Sequence, residues 1–397
     1  MNDHRPELAA VFRKYESDFF AKLGAVLTHH QKKAFDAIRD CRTSVLGGHV
    51  DRCDECGHLV ISYNSCRNRH CPKCQALARA KWLVERQAEL LPVEYFHVVF
   101  TLPQQIGGLA LQNAREIYRI LFRAVSETLL TIAADPKHLG AAIGFLAILH
   151  TWGQNLHLHP HIHCVVPGGG ISPDGKRWVA CRRSFFLPVR VLSRLFRAKF
   201  LTYLREAFRR GKLKFHGEMA DLANPAAFDS LCRLANRIEW VVYAKPPFGG
   251  PEQVLKYLAR YTHRVAISNR RLLSIEDGCV SFEWKDYAGG NKARTMTLDA
   301  LEFIRRFLLH ILPSGFVRIR QYGFLANRAR RGKLALCRAL LNAAAPTALP
   351  ACNTGASKIE ERDHTLCPVC KRGHMVPVET LSPVRLIASL LARQDTS

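Results

Sequence analysis

The spacing of apolar residues along this chain changes period several times, and each change marks an expected element. Leu8, Ala9, Val11 and Phe12, then Ala21, Leu23, Val26 and Leu27, recur at helical spacing and predict helices within residues 1–45. Gly47-Gly48 breaks that pattern. Helical spacing returns from Gln75 to Leu91 and stops at Pro92. Tyr95-Phe-His-Val-Val-Phe-Thr101 reads as a buried strand, and residues 109–134 as a long helix. Ile143–Trp152 and Pro160–Val166 are two more strands, expected to pair antiparallel through the connection Gly153–His159. Gly168–Lys176 has turn chemistry. Two helical stretches follow, then an expected strand Ile238–Ala244 and a Pro/Gly-rich loop, Pro246–Pro251. Good helix formers run from Gln253 to Arg264 behind Pro251, a suitable first-turn residue. Short β patterns continue to about residue 297, and Asp299–His310 is helical. Ala343–Pro350 reads as a linker. The mixture of strands and helices predicts an α+β or α/β chain.

Length and composition limit what such a chain does. Its 397 residues, 48% of them hydrophobic, suffice for two or three packed domains. Lys and Arg number 58 against 33 Asp and Glu, a formal charge of +25, which calls for a polyanionic partner. No apolar run is long enough to span a membrane, so nucleic acid is expected rather than a bilayer. The charge is also concentrated. Between Cys181 and Phe215 every charged residue except Glu206 is Lys or Arg, and Pro313–Leu336 has cations and no acid. Phe185, Phe186, Phe196, Phe200 and Tyr203 interleave with the first run, and Phe316, Tyr322 and Phe324 with the second. Cations mixed with aromatics suit a groove that tracks a phosphate backbone and offers a few stacking surfaces. Arg205, Arg209, Arg210, Arg318, Arg320 and Arg328 are the candidate contacts.

Cys53-Asp-Glu-Cys56 and Cys71-Pro-Lys-Cys74, joined by a short connector, have the spacing of a zinc site. Cys53, Cys56, Cys71 and Cys74 are the expected ligands; Cys66 and His70 stand close enough to replace one or to hold a second ion. The start Met1-Asn-Asp-His-Arg-Pro-Glu7 has no apolar signal core, so a reducing cytoplasm, and metal rather than disulfides, is expected. Beyond the linker, Cys367-Pro-Val-Cys370 with Cys352, His364 and His374 nearby is a candidate second zinc site.

Two further patterns carry candidate chemistry. In His161-Ile162-His163, on an expected strand, both imidazoles face one way. Such a pair suits a divalent metal with coordination positions left open. Gln154 and His159 are the nearest candidates for a third ligand, with His157 behind them. Tyr257 and Tyr261, at i and i+4 on a helix, are neighbours on one face, and Lys256, Arg260, His263 and Arg264 crowd the same two turns. A phenol among cations can be lowered in pKa and can meet a phosphate.

These motifs stand in a particular order. Ser65-Cys-Arg-Asn-Arg-His-Cys-Pro-Lys-Cys-Gln75 is followed by Phe100-Thr-Leu-Pro103, His150-Thr-Trp-Gly-Gln154 and His159-Pro-His-Ile-His163. Tyr257-Leu-Ala-Arg-Tyr261 and Gly315-Phe-Val-Arg-Ile-Arg-Gln-Tyr-Gly-Phe-Leu-Ala-Asn-Arg328 complete the series. From about residue 15 to 335 the chain resembles the rolling-circle, two-tyrosine transposases of the HUH endonuclease superfamily, insertion-sequence 91 type. The last fifty or so residues match least.

The resemblance implies a ferredoxin-like antiparallel sheet with His161 and His163 on a central strand, holding Mg²⁺ or Mn²⁺. It implies Tyr257 and Tyr261 as nucleophiles that leave a 5′-phosphotyrosine bond and a free 3′-OH. It implies single-stranded DNA at mobile-element ends as substrate, host replication machinery as a candidate partner, and a bacterial, nucleoid-associated location. The expected organisation is a helical and zinc-binding domain (1–90), a catalytic domain (91–297), a basic and mostly helical DNA-binding extension (298–345), and a linker with a second zinc tail (346–397). A non-catalytic zinc-dependent DNA-binding regulator, or a replication initiator or relaxase of the same superfamily, are the competing expectations.

Overall fold

The structure, a computed structural model, describes residues 5–75, 82, 86–87, 89–182, 185–248, 253, 265–286, 290, 292–342 and 365–384. In chain order, α1 (Leu8–Leu23) and α2 (His29–Arg39) open the described chain. The Thr28 hydroxyl accepts from the Gln31 backbone N–H while the Gln31 side chain accepts from the Thr28 N–H, a capping box that fixes where α2 begins. Strands β1 (Gly48–Cys53) and β2 (Leu59–Tyr63) follow. Then come β3 (Tyr95–Thr101), α3 (Gly107–Gln112), α4 (Ala114–Ala134), β4 (Gly144–Trp152) and β5 (Leu158–Pro167). A short hairpin, β6 (Gly169–Ile171) and β7 (Trp178–Ala180), leads to α5 (Val189–Arg209), α6 (Pro225–Arg237) and β8 (Val242–Phe248). Strands β9 (Leu272–Glu276), β10 (Cys279–Asp286) and β11 (Lys292–Asp299) precede α7 (Ala300–Leu308). The described chain closes with β12 (Ile319–Gly323), α8 (Arg330–Leu340) and β13 (Met375–Leu381).

These elements form two units, each assembled from non-consecutive segments, whereas the sequence reading cuts the chain into consecutive ones. The first comprises Met1–Ala78, His263–Ile311 and Leu349–Ser397. It holds two three-stranded sheets, ordered β13-β1-β2 and β11-β10-β9. Its apolar packing centres on Phe12, which stacks on Phe35 at 4.4 Å and meets the edge of Phe307 at 5.6 Å.

The second unit comprises Arg79–Thr262 and Leu312–Ala348 and is built on one antiparallel sheet ordered β12-β4-β5-β3-β8. Apart from the edge strand β12, its sheet strands and the two long helices run β3–α4–β4–β5–α5–β8, a βαββαβ order in which β5 of the hairpin lies beside the first strand and β4 lies beyond β5. Alternation along each strand separates the faces. Phe96, Val98, Phe100, Phe145, Ala147, Leu149, Ile162, Cys164 and Val166 are buried in one core with Leu121, Val125 and Leu129 of α4 and Phe196, Phe200 and Leu204 of α5. The opposite face carries the histidines.

Most strands lie where periodicity places them, and β3 matches residue for residue. One starts late. The expected strand at Ile238 begins only at Val242, because Trp240 is drawn into the helical layer. Its ring meets Phe196 and Phe200, its Nε1 donates to the Ala235 carbonyl at 2.8 Å, and its own carbonyl accepts from the Ser193 hydroxyl at 2.6 Å. The 298–345 stretch, expected to be mostly helical, contributes strand β12 as well as two helices. Most of the expected helix Gln75–Leu91, and nearly all of the tyrosine segment, lie outside the described residues. Among the described residues no helix is long and apolar enough to cross a membrane.

Candidate functional site

His161 and His163 lie on β5, the central strand, and share a face as their spacing predicts. The ladder then selects the third member. β4 pairs with β5 so that His150 stands directly opposite His161. One ring nitrogen from each of His150, His161 and His163 falls within 4.8 Å of the others. Cross-strand neighbours approach to about 5 Å at Cβ, closer than two residues along one strand, so His150 joins the pair and His159 does not. His159 is exposed on the same strand. Gln154 sits in the connection between β4 and β5, and the backbone there turns through a Gly153 N–H to His157 carbonyl bond of 2.9 Å. His150 was legible only as the first residue of the His-Thr-Trp-Gly-Gln segment, not as a ligand.

Hydrogen bonds fix the rings. His161 Nδ1 lies 2.6 Å from the His159 carbonyl oxygen, so Nδ1 carries a proton and Nε2 keeps the lone pair with which it could ligate a metal. Behind His163 is His97 on β3, 2 % exposed, with its Nε2 2.8 Å from His163 Nδ1. The two rings stack at 5.0 Å. Sequence reading placed His97 within a buried strand and assigned it no role. Its diagonal position across the β3–β5 ladder is a property of register alone.

The cysteines assemble differently from their expected set. Cys53, Cys56, Cys71 and Cys74 do not meet. Cys71 and Cys74 join Cys41 and Cys66, with all four sulfurs within 4.8 Å of one another. Cys74 Sγ lies 3.6 Å from both Cys41 Sγ and Cys66 Sγ. Cys53 and Cys56 instead meet Cys367 and Cys370. The reason is topological. β1 leads away from Cys41 and ends at Cys53, so the first Cys-x-x-Cys turn sits at the far end of the ribbon from Cys66 and Cys71. Cys41 closes the nearer set from the end of α2. His70 is buried beside Cys71 but belongs to neither set. His374 also stands apart from the sulfurs: its Nδ1 meets the Thr365 hydroxyl at 2.9 Å. Cys352 lies outside the described residues. Crowding pulls the thiols apart in acidity: Cys41 is held far below the usual thiol range by hydrogen bonds from Cys66 and Cys71, while Cys66 is pushed up.

The candidate DNA-binding cations divide as well. Arg209, the last residue of α5, and Arg210, which caps it, are exposed. Arg210 pairs with Glu206 at 2.6 Å, and Arg205 faces Asp229 at 3.5 Å. Arg328 is exposed. Arg318 is buried, and Arg320 lies over the Phe122 ring at 4.0 Å. Lys256, Arg260 and Arg264 fall outside the described residues, as do Tyr257 and Tyr261. A cleft of about 510 Å³ is lined by Trp82, Arg86, Leu146, Ile319, Arg320, Gln321, Asn327 and Arg330. Ile319 and Gln321 stand opposite Ile148 and Leu146, and Ile148 stands opposite His163, so this cleft opens on the histidine face of the sheet. Trp82 and Arg86 had carried no functional signal in the sequence.

Residues 11–102 match the family described as "Transposase zinc-binding domain", and residues 144–333 the family described as "Putative transposase". The first range includes Cys41, Cys66, Cys71 and Cys74, and the second His150, His161 and His163. The "Putative transposase y4qJ" of Sinorhizobium fredii is 56% identical over 384 residues, covering 96% of this chain and 96% of that protein. The transposase of insertion sequence element IS801 from Pseudomonas savastanoi pv. phaseolicola is 28% identical over 306 residues, covering 72% of this chain and 68% of its own. Among solved structures, the conjugative relaxase TrwC in complex with mutant OriT DNA aligns at 15% identity over 61% of this chain and 72% of its own, with a TM-score of 0.23, a superposition too weak to place any residue. With a near-full-length relative and both ranges matched, the chain belongs to the insertion-sequence 91 family of transposases, which carry an N-terminal zinc-binding domain.

Proposed function

We propose that the histidine face of the five-stranded sheet is the centre of single-strand DNA cleavage and rejoining at mobile-element ends. The observation that carries this reading is the triad His150, His161 and His163 on adjacent strands, with a cationic cleft on the same face. The βαββαβ order with the hairpin strands inside the sheet supports the ferredoxin-like, HUH-type fold. Three imidazoles and open coordination positions suit Mn²⁺, and Mg²⁺ less well because it prefers oxygen ligands. Bound there, such an ion supplies charge stabilisation to a non-bridging oxygen of the scissile phosphate and to the departing 3′ oxygen.

The chain's own residues do the rest. His97 and the His159 carbonyl hold the ring tautomers and orientations. Arg86 and Arg330 line the cleft that receives the strand, with Trp82 as a stacking surface. The phenol oxygen of Tyr257 or Tyr261 attacks phosphorus and gives up its proton. The bond from phosphorus to the 3′ oxygen breaks, and that oxygen takes up a proton. The product is a 5′-phosphotyrosine and a free 3′-OH, and attack by a 3′-OH on the phosphotyrosine reverses the step. Two tyrosines permit two such exchanges with no hydrolysis between them. Cys41, Cys66, Cys71 and Cys74 hold a structural zinc in the N-terminal domain. The setting is the bacterial cytoplasm at the nucleoid, with the 3′-OH available to host replication machinery.

A denaturing gel of the protein with a single-stranded oligonucleotide and Mn²⁺ tests this reading. A covalent adduct is expected, lost in the Tyr257→Phe/Tyr261→Phe variant. His150→Ala is expected to abolish cleavage as fully as His161→Ala or His163→Ala while sparing DNA binding, because the ion acts on the transition state. His159→Ala should still cleave. A normal adduct in the double Phe variant, or full activity in His150→Ala, overturns the assignment.

A further inference from the structure

Cys367 and Cys370 lie beyond both matched family segments, yet their sulfurs meet those of the N-terminal Cys53 and Cys56. The separations are 3.7 Å for Cys53–Cys370 and 3.7 Å for Cys56–Cys367. Four thiolates bound to zinc at about 2.3 Å in a tetrahedron stand about 3.8 Å apart. We propose that these four cysteines bind a second zinc ion, which clasps residues 365–384 onto the N-terminal domain.

Two turns of the same construction meet at this site. In each Cys-x-x-Cys the residue after the second cysteine adopts positive φ, Gly57 at 70° and Lys371 at 54°. In each, a backbone N–H donates to the first residue's carbonyl, Gly57 to Cys53 at 3.1 Å and Lys371 to Cys367 at 3.0 Å. Each turn also aims an N–H at a sulfur: Cys56 at Cys53 Sγ and Gly373 at Cys370 Sγ, both at 3.4 Å. Such bonds favour thiolate, the form a metal requires. A lone Cys-x-x-Cys turn offers two ligands. Facing pairs offer the four of a closed structural site.

The surrounding backbone keeps the turns together. β13 pairs antiparallel with β1 from Gly48–Leu381 to Cys53–Met375, which brings both turns to one end of the ribbon. Asp54 then bridges the two. Its Oδ1 accepts from the His374 N–H at 2.8 Å, and its own N–H donates to the His374 carbonyl at 3.1 Å. Gly373 is where the turns come closest. A Cβ there would lie 2.6 Å from Cys53 Sγ and 2.5 Å from Asp54 Oδ1. Only a residue without a side chain admits this approach. Ribbon packing does not replace the ion, since Leu59, Ile61, Val376 and Val378 all stay exposed.

Metal analysis of the full chain tests the clasp. Two zinc ions per chain are expected, falling to one in Cys367→Ser/Cys370→Ser and to one in Cys41→Ser/Cys66→Ser. Zinc content that Cys367→Ser/Cys370→Ser leaves unchanged overturns the clasp, and zinc content unchanged in Cys41→Ser/Cys66→Ser overturns the separate N-terminal site instead. Gly373→Ala keeps all eight sulfurs and should release one zinc to a chelator at least tenfold faster; an unchanged release rate also counts against the clasp. A readout that needs no variant is diamide oxidation of the zinc-loaded, folded wild-type protein, followed by proteolysis and mass spectrometry. Peptides joining Cys53 or Cys56 to Cys367 or Cys370 are expected, and their absence in chains that oxidise elsewhere overturns the juxtaposition.

Discussion

The histidine sheet and the cysteine ribbon are both antiparallel, and they are held by opposite means. In the sheet of β3, β4, β5, β8 and β12, Phe100 and Ile162 are fully buried under two long helices, in one core with Phe196 of α5. In the ribbon of β13, β1 and β2, Leu59 and Ile61 are each 56% exposed and Val376 and Val378 each 46%. The large sheet buries enough apolar surface to offset the ordering of its chain. Three short strands without a core do not, and metal–thiolate bonds take the place of the missing burial. On the proposed function, the same division separates two roles: the apolar core of the sheet arranges its histidines before an ion or DNA arrives, whereas the cysteine sites spend their ligands on folding.

The sharpest way to break this contrast is to remove zinc. A strong chelator at neutral pH should erase hydrogen-exchange protection in β1, β2 and β13 and leave β3, β4 and β5 protected, since a structural zinc supplies an apparent ~10–16 kcal/mol. Joint loss in both regions, or loss in neither, would end the comparison. The converse perturbation is Phe196→Ala. It should lower the stability of the large sheet by about 3–5 kcal/mol in denaturant unfolding and leave the zinc content unchanged.

Surface charge should matter to neither core. Arg205→Gln/Arg209→Gln/Arg210→Gln is expected to weaken binding to all single-stranded sequences alike. It should flatten the salt dependence by at most about 2 in logarithmic slope, at about 0.7 per lost contact. Glu206 and Asp229 already engage two of the three, so a smaller change is expected. A sequence-selective loss would instead make these residues readers of bases.

The smallest effect belongs to Glu302, at the first turn of α7. Its carboxyl is held down at about 2 by the Arg305 hydrogen bond, against burial and with help from Arg306. A depressed carboxylate contributes stability above its unfolded pKa of about 4.3, and that contribution fades as pH falls toward the folded value. Glu302→Gln should therefore cost less than about 1 kcal/mol at pH 7, and less again at pH 3. A cost that grows on acidification would contradict this.

Much of the site was legible before the fold was known. Period-2 alternation put His161 and His163 on one face of a strand, and the structure places that strand in the middle of the sheet. The family followed from the order of motifs. Other features were not legible, for two physical reasons. His150 and His97 reach the site across strands, and register is set by how whole strands pair, not by residues near the histidines. Cys367 and Cys370 reach Cys53 and Cys56 across more than three hundred residues, through a β1–β13 pairing that no local spacing encodes. Ligand spacing reveals that a turn can bind metal, not which other turn completes it. Arg318 and Arg320 show a related limit. Charge in a sequence says that cations exist, and only the packed helix α4 decides that Arg320 covers Phe122.

By itself, then, the sequence determined which residues carry chemistry, because side-chain type and local periodicity are properties of neighbours along the chain. Only the tertiary structure decided which of them act together. Grouping three histidines and dividing eight cysteines into two sets depends on long-range strand pairing, whose entropy cost is met by the burial or metal binding of a whole unit.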